Sequence, residues 1–108
     1  MANNLEVSKQ DWKLFREKIP NWQELYMEQL NKEYVKLLQG DGVASEKFWE
    51  LEKRIKNDKR KKGVLIRLSK QNVPFDLVCL IKDGVISFKD IEDFSSDLQE
   101  TVRFLAEI

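Results

Sequence analysis

The sequence predicts an all-α protein, a single compact bundle of five to seven short helices spanning residues 1–108. Three observations predict it. Helix-start residues recur along the chain, at Ser8, Asn21, Ser45, Asn72, Ser87 and Ser96. Between them apolar residues return every three or four positions, the period of one helix face. No two segments carry the alternating pattern that a pair of strands would need. At 12.8 kDa, with 42% apolar and 35% charged residues, the chain has enough apolar material for one core and room for one domain.

Ser8 stands three residues before Asp11, so its hydroxyl can accept a backbone hydrogen bond at a helix start. Trp12, Phe15 and Ile19 follow at helical spacing. Pro20 disfavours helical geometry at Ile19, which predicts a stop or kink there, with Asn21 and Glu24 restarting the chain. The next segment, Trp22 to Gln39, gathers Trp22, Leu25, Tyr26, Leu30, Val35, Leu37 and Leu38 largely on one side, away from Glu24, Glu28, Lys32 and Lys36. Gly40 can close it in the left-handed conformation. Ser45 is expected to cap a third helix carrying Phe48, Trp49, Leu51 and Ile55, which runs into the crowded charges of residues 57–63.

Val64 to Leu68 is too short to discriminate helix from strand, and helix is preferred for want of a strand partner. Pro74 suits the first turn of a further helix reaching Lys82, with Asn72 as its cap. Phe75, Leu77, Val78, Leu80 and Ile81 make it nearly apolar all round, the expected central core helix. Gly84 closes it. Ser87 with Asp90 opens a short helix over residues 88–94, and Ser96 with Gln99 opens the last, carrying Leu98, Val102 and Leu105.

The composition excludes whole classes of chemistry. There is no histidine and one cysteine, so no intramolecular disulfide, no His-assisted nucleophile and no usual zinc ligand set can form; catalytic and metal residues are expected to be none, and cofactors none. Cys79 stands in the most apolar segment with no cation adjacent in sequence, as a core residue would. Were Gly84 the sixth residue of a calcium loop, its first and third positions would fall on Cys79 and Ile81, which offer no side-chain oxygen. Glu92, Asp93, Asp97 and Glu100 read as a solvated face rather than an acid–base pair. Met1 to Val7 lacks the pattern of a signal peptide, and the longest apolar run, Leu77 to Ile81, is five residues against the ~20 of a membrane span. A cytoplasmic protein with no membrane partner is expected.

Charge is distributed unevenly. Residues 1–45 hold six bases and seven acids, 46–70 ten and four, 71–108 three and eight, for a net charge of zero. Lys53, Arg54, Lys56, Lys59, Arg60, Lys61 and Lys62 lie within ten residues, with Arg67 and Lys70 beyond. Such a cluster can contact phosphates of a nucleic acid or another anionic partner, with binding that weakens as salt rises. It can equally be a solvated helix end neutralised by the acidic C-terminal third. Trp12, Trp22 and Trp49 exceed what so small a core needs, and Trp12 or Trp49 is the candidate partner anchor.

Several stretches resemble a known group. They are Asp11-Trp12-Lys13-Leu14-Phe15-Arg16, Asn31 to Tyr34 through Gly40-Asp41-Gly42, Ser45 to Trp49 through Lys56, Gly84-Val85-Ile86, and Phe94-Ser95 through Val102. Together they resemble small proteins of Gram-positive gut bacteria and their mobile elements, which often carry the label multidrug transporter. Pro74 departs from the aliphatic residue of that pattern. The resemblance implies no catalytic residues, and its transporter label fails because a five-residue apolar run cannot cross a bilayer. A mobile-element origin implies a regulator or inhibitor of a host system. The leading expectation is therefore a non-enzymatic helical protein acting by protein–protein binding. A nucleic-acid-binding accessory protein using residues 53–70 is the alternative, and opposite charges leave self-association open.

Overall fold

A computed structural model describes residues 6–108. Among them are four α-helices: α1 (Lys9–Gln39), α2 (Ala44–Asp58), α3 (Val73–Lys82) and α4 (Ser96–Glu107). Single 3-10 turns, Lys70–Asn72 and Phe88–Ile91, precede α3 and α4. The fold is all-α, with fewer and longer helices than expected. It is also elongated, 55 × 26 × 22 Å, with a radius of gyration of 16.7 Å where a compact chain of this length has about 13 Å. The signal-peptide question over Met1 to Val7 falls mostly outside the described residues.

The largest departure is α1. Pro20 lies inside one continuous helix of 31 residues. A helix-interior proline costs about 3 kcal/mol, yet Phe15 and Ile19 before it and Trp22 after it enter the same core. Burying three large side chains together outweighs that cost. Pro20 itself is exposed, and the carbonyl it strands belongs to the equally exposed Arg16. Asn21 is consequently mid-helix rather than a cap.

The N-terminal half of α1, with α3, the second 3-10 turn and α4, forms a head. Phe15, Leu77, Leu80, Ile91, Leu98, Val73 and Val102 are its fully buried apolar side chains. Trp22 joins the elements, its ring centroid 6.4 Å from Phe15 edge-on and 6.5 Å from Phe94. One polar linkage ties the helix starts together. The Ser8 hydroxyl accepts from Asp11 N–H at 3.0 Å as expected. The buried Asp11 carboxylate accepts from Ser95 N–H at 3.0 Å and Ser95 Oγ–H at 2.6 Å, while Ser95 Oγ accepts from Leu98 N–H at 3.3 Å. Ser95, not Ser96, is thus the cap of α4, because Asp11 holds it extended at the helix mouth.

Other expectations shift at the element ends. Gly40 is extended, and Gly42 takes the positive φ (126°) that reverses the chain. Val43 precedes α2 without a side-chain cap, leaving Ser45 in the first turn. Asn72 precedes α3 but its side chain makes no capping bond, and Pro74 is in the first turn. Ser87 and Asp90 form a reciprocal capping box as expected, with Gly84 at φ 77° completing the turn before it. Residues 64–68 are not helical: Ile66 packs on the core between the exposed Leu65 and Arg67, as the alternating sides of an extended segment allow. α3 is a core helix on one side only. Phe75 is exposed, whereas Asp76 is buried.

Candidate interaction surface on the helical arm

Beyond the head, residues 27–39 of α1 and all of α2 form a two-helix arm. On α2 the inward positions are Lys47, Leu51, Arg54 and Asp58, spaced four, three and four apart, the side of a helix that meets one neighbour. Leu30 is the only buried apolar residue of the arm and lies outside the head core. Polar contacts replace apolar packing. The Tyr34 hydroxyl donates to the buried Asp58 carboxylate at 2.5 Å. Arg54 pairs with Glu33 at 2.7 Å, comes within 3.9 Å of Asp58, and covers the Tyr34 ring at 5.6 Å. Burial and the Asp58 hydrogen bond push the Tyr34 phenol up to about 12.

This arrangement leaves apolar side chains uncovered. Phe48, Trp49, Val35, Leu38 and Ile55 are 61%, 64%, 50%, 46% and 38% exposed. Phe48 and Trp49 meet edge-to-face, centroids 4.9 Å apart at 89°, an aromatic ledge on the outside of α2. An open hollow of about 730 Å³ beside Trp49 is lined by Leu37, Asp41, Lys47, Glu50 and Lys53.

The structure divides the nine cations singled out in the sequence. Arg54 is committed to Glu33 and Asp58. Lys62 reaches Asp76 at 3.1 Å and covers the Phe75 ring at 5.5 Å. Both are structural. Lys53, Lys56, Lys59 and Arg60 are exposed and make no ion pair among the described residues, so the basic surface is smaller than the sequence suggests. Lys61 is half-buried beside a second groove of about 620 Å³, lined also by Tyr26, Glu33, Arg54, Asp58 and Asp83, where the arm joins the head. Arg67 and Lys70 lie on the segment leading to α3. Lys62–Asp76 is the single ion pair between the basic segment and the acidic C-terminal third; the two do not otherwise neutralise each other.

The two candidate anchors separate as well. Trp12 is partly buried, packed against the head core with the Arg16 guanidinium over its ring at 4.9 Å. Trp49 is on the surface. Cys79 is half-buried, and burial pushes its thiol up, away from the thiolate a nucleophile needs. No group of three or more His, Cys, Asp or Glu among the described residues is placed to hold a metal ion, and no helix among them is long and apolar enough to cross a membrane. Sequence reasoning missed the Tyr34–Asp58–Arg54–Glu33 network, although the four-residue spacing of Arg54 and Asp58 hinted at it.

No known protein family matches this sequence, and comparison with curated proteins and with solved structures gives no match.

Proposed function

We propose that this protein is a non-enzymatic, cytoplasmic binding protein whose helical arm docks on another protein, in keeping with a regulator or inhibitor carried on a mobile element. The observation that carries this reading is the exposed Phe48–Trp49 pair on a projecting arm. Aromatic side chains are the commonest energetic anchors of interfaces, and a rigid edge-to-face pair loses little entropy on binding. Mechanistically, Trp49 seats in a partner's apolar pocket while Lys53, Lys56, Lys59 and Arg60 steer an acidic surface toward it. The exposure of those four cations also favours one second reading, contact with a nucleic-acid backbone.

A photo-crosslinking amino acid placed at position 49 in living cells tests the reading. Light-dependent adducts with protein are expected, and they should fade when Lys53 and Lys56 are reversed to Glu. Adducts with nucleic acid alone would transfer the arm to the second reading. No adduct of either kind overturns both.

A further inference from the structure

We propose that the occupant of the arm is a second copy of this chain, in a two-fold pair that lays α2 of each copy antiparallel on α4 of the other. The inference rests on the arm being a docking surface and names what docks there. It starts from α4. Its outer stripe consists of Asp97, Glu100 and Phe104, at spacings of three and four residues, with Ile108 just past the helix end. Phe104 is 65% and Ile108 82% exposed, and neither Asp97 nor Glu100 makes an ion pair among the described residues. The stripe is therefore acidic at its N-terminal end and apolar at its C-terminal end.

α2 carries the complement in reverse order. Trp49, Lys53 and Lys56 occupy one stripe, apolar toward the N-terminus and basic toward the C-terminus. Their spacings are four and three residues; those of Phe104, Glu100 and Asp97, read backwards, are also four and three. Two antiparallel helices in contact keep such a register along their length, because each residue advances both by the same rise. A single alignment therefore sets Trp49 against Phe104, Lys53 against Glu100 and Lys56 against Asp97. It also brings Glu50 level with Arg103. The like-charged exception is Glu46 with Glu107, at the open end of the contact. Within one chain these surfaces do not meet, since α2 packs on α1 and α4 packs on α3.

A two-fold pair makes this contact twice and closes on itself. An extended arm with one buried apolar side chain of its own gains the cover it lacks.

Sedimentation equilibrium of the full chain, at low and at high salt, tests the proposal. A species of twice 12.8 kDa is expected, weakening as salt rises. Trp49→Ala and Phe104→Ala should each weaken association at least tenfold. Reversing Lys53 and Lys56 to Glu should give a monomer, as should reversing Asp97 and Glu100 to Lys. Mixing these two monomers should restore a pair, since each supplies what the other lost; that rescue also certifies that both fold. Glu46→Lys should tighten association, because it removes the like-charged exception. A monomer at high concentration overturns the proposal, as do failure of the rescue, association indifferent to Phe104, or mass that grows without limit. If the chain is monomeric while position 49 still crosslinks to a different protein, this inference falls and the docking function stands.

Discussion

The head and the arm are held together by different physics. In the head, α1, α3 and α4 converge on Phe15, Leu77, Leu80, Ile91, Leu98 and Val102, none of which touches water appreciably. In the arm a single buried leucine, Leu30, is supplemented by Tyr34, Asp58, Arg54 and Glu33. Non-directional apolar burial tolerates a proline in the middle of a helix, as Pro20 demonstrates. A hydrogen-bonded network gives little net free energy but fixes geometry, so the arm is positioned rather than strongly stabilised. The two buried carboxylates repeat the contrast. Asp58 in the arm has both the Tyr34 hydroxyl and Arg54 beside it. Asp76 in the head has Lys62 on one oxygen and no partner on the other.

This comparison is most directly broken by emptying the head. Leu80→Ala should cost about 2–5 kcal/mol and bring down the whole molecule, head and arm together, in chemical denaturation. Unfolding of the head alone would contradict a shared α1. Gly63→Ala attacks the joint. A Cβ there would lie 2.5 Å from the Tyr26 ring and 2.7 Å from Val85, so these side chains must shift to admit it. A loss of about 1–3 kcal/mol is expected, and an unchanged melting temperature would mean the joint is looser than it looks.

Tyr34→Phe sharpens the contrast by touching only the arm. It leaves the buried Asp58 without its hydroxyl donor, at about 1–3 kcal/mol. Hydrogen exchange should accelerate across residues 44–58 while α3 and α4 keep their protection; uniform acceleration would merge arm and head into one unit. The tyrosine carries a pH signature too. Its phenol is held protonated in the folded state, so its contribution is complete below the ordinary 10.0 and is lost as pH rises through about 12. Tyr34→Phe should flatten that alkaline limb.

Asp76→Asn addresses the other buried carboxylate. Burial pushes Asp76 above its ordinary 3.8, against the opposing pull of Lys62. A raised carboxylate favours the fold when neutral, so its contribution is full below 3.8 and is lost as pH rises through the elevated folded value. Thermal melts across that range should fall with rising pH less steeply in the asparagine variant; parallel profiles would show that Lys62 compensates fully. At a protein concentration too low for self-association, the smallest stability effect is expected of Trp49→Ala, within about 0.5 kcal/mol, since within its own chain that side chain is 64% exposed and meets only the equally exposed Phe48 ring. A larger loss would make Trp49 part of the arm's structure and remove it as an anchor.

How legible was all this in the sequence? The helical class, the Ser8 cap, the Ser87–Asp90 box, the break at residues 40–42 and the end of α2 are local events. Each is settled by a few neighbouring residues competing for backbone hydrogen bonds, so spacing alone reveals them. The basic segment was visible as composition, but which cations are free was not. Arg54 and Lys62 look like their neighbours until Glu33 and Asp76 arrive from elsewhere in the chain.

The sequence by itself determined helical periodicity, the absence of His and disulfide chemistry, and the opposed charges of the middle and final segments. Only the tertiary structure decided that α1 runs through Pro20, that Trp12 is partly buried against the core while Trp49 is exposed, and that Asp11 holds the capping Ser95 84 residues away. The physical reason is shared. Each of these is a contest between a local preference of at most a few kcal/mol and burial against a distant element, and the distant element has no signature in the neighbouring residues.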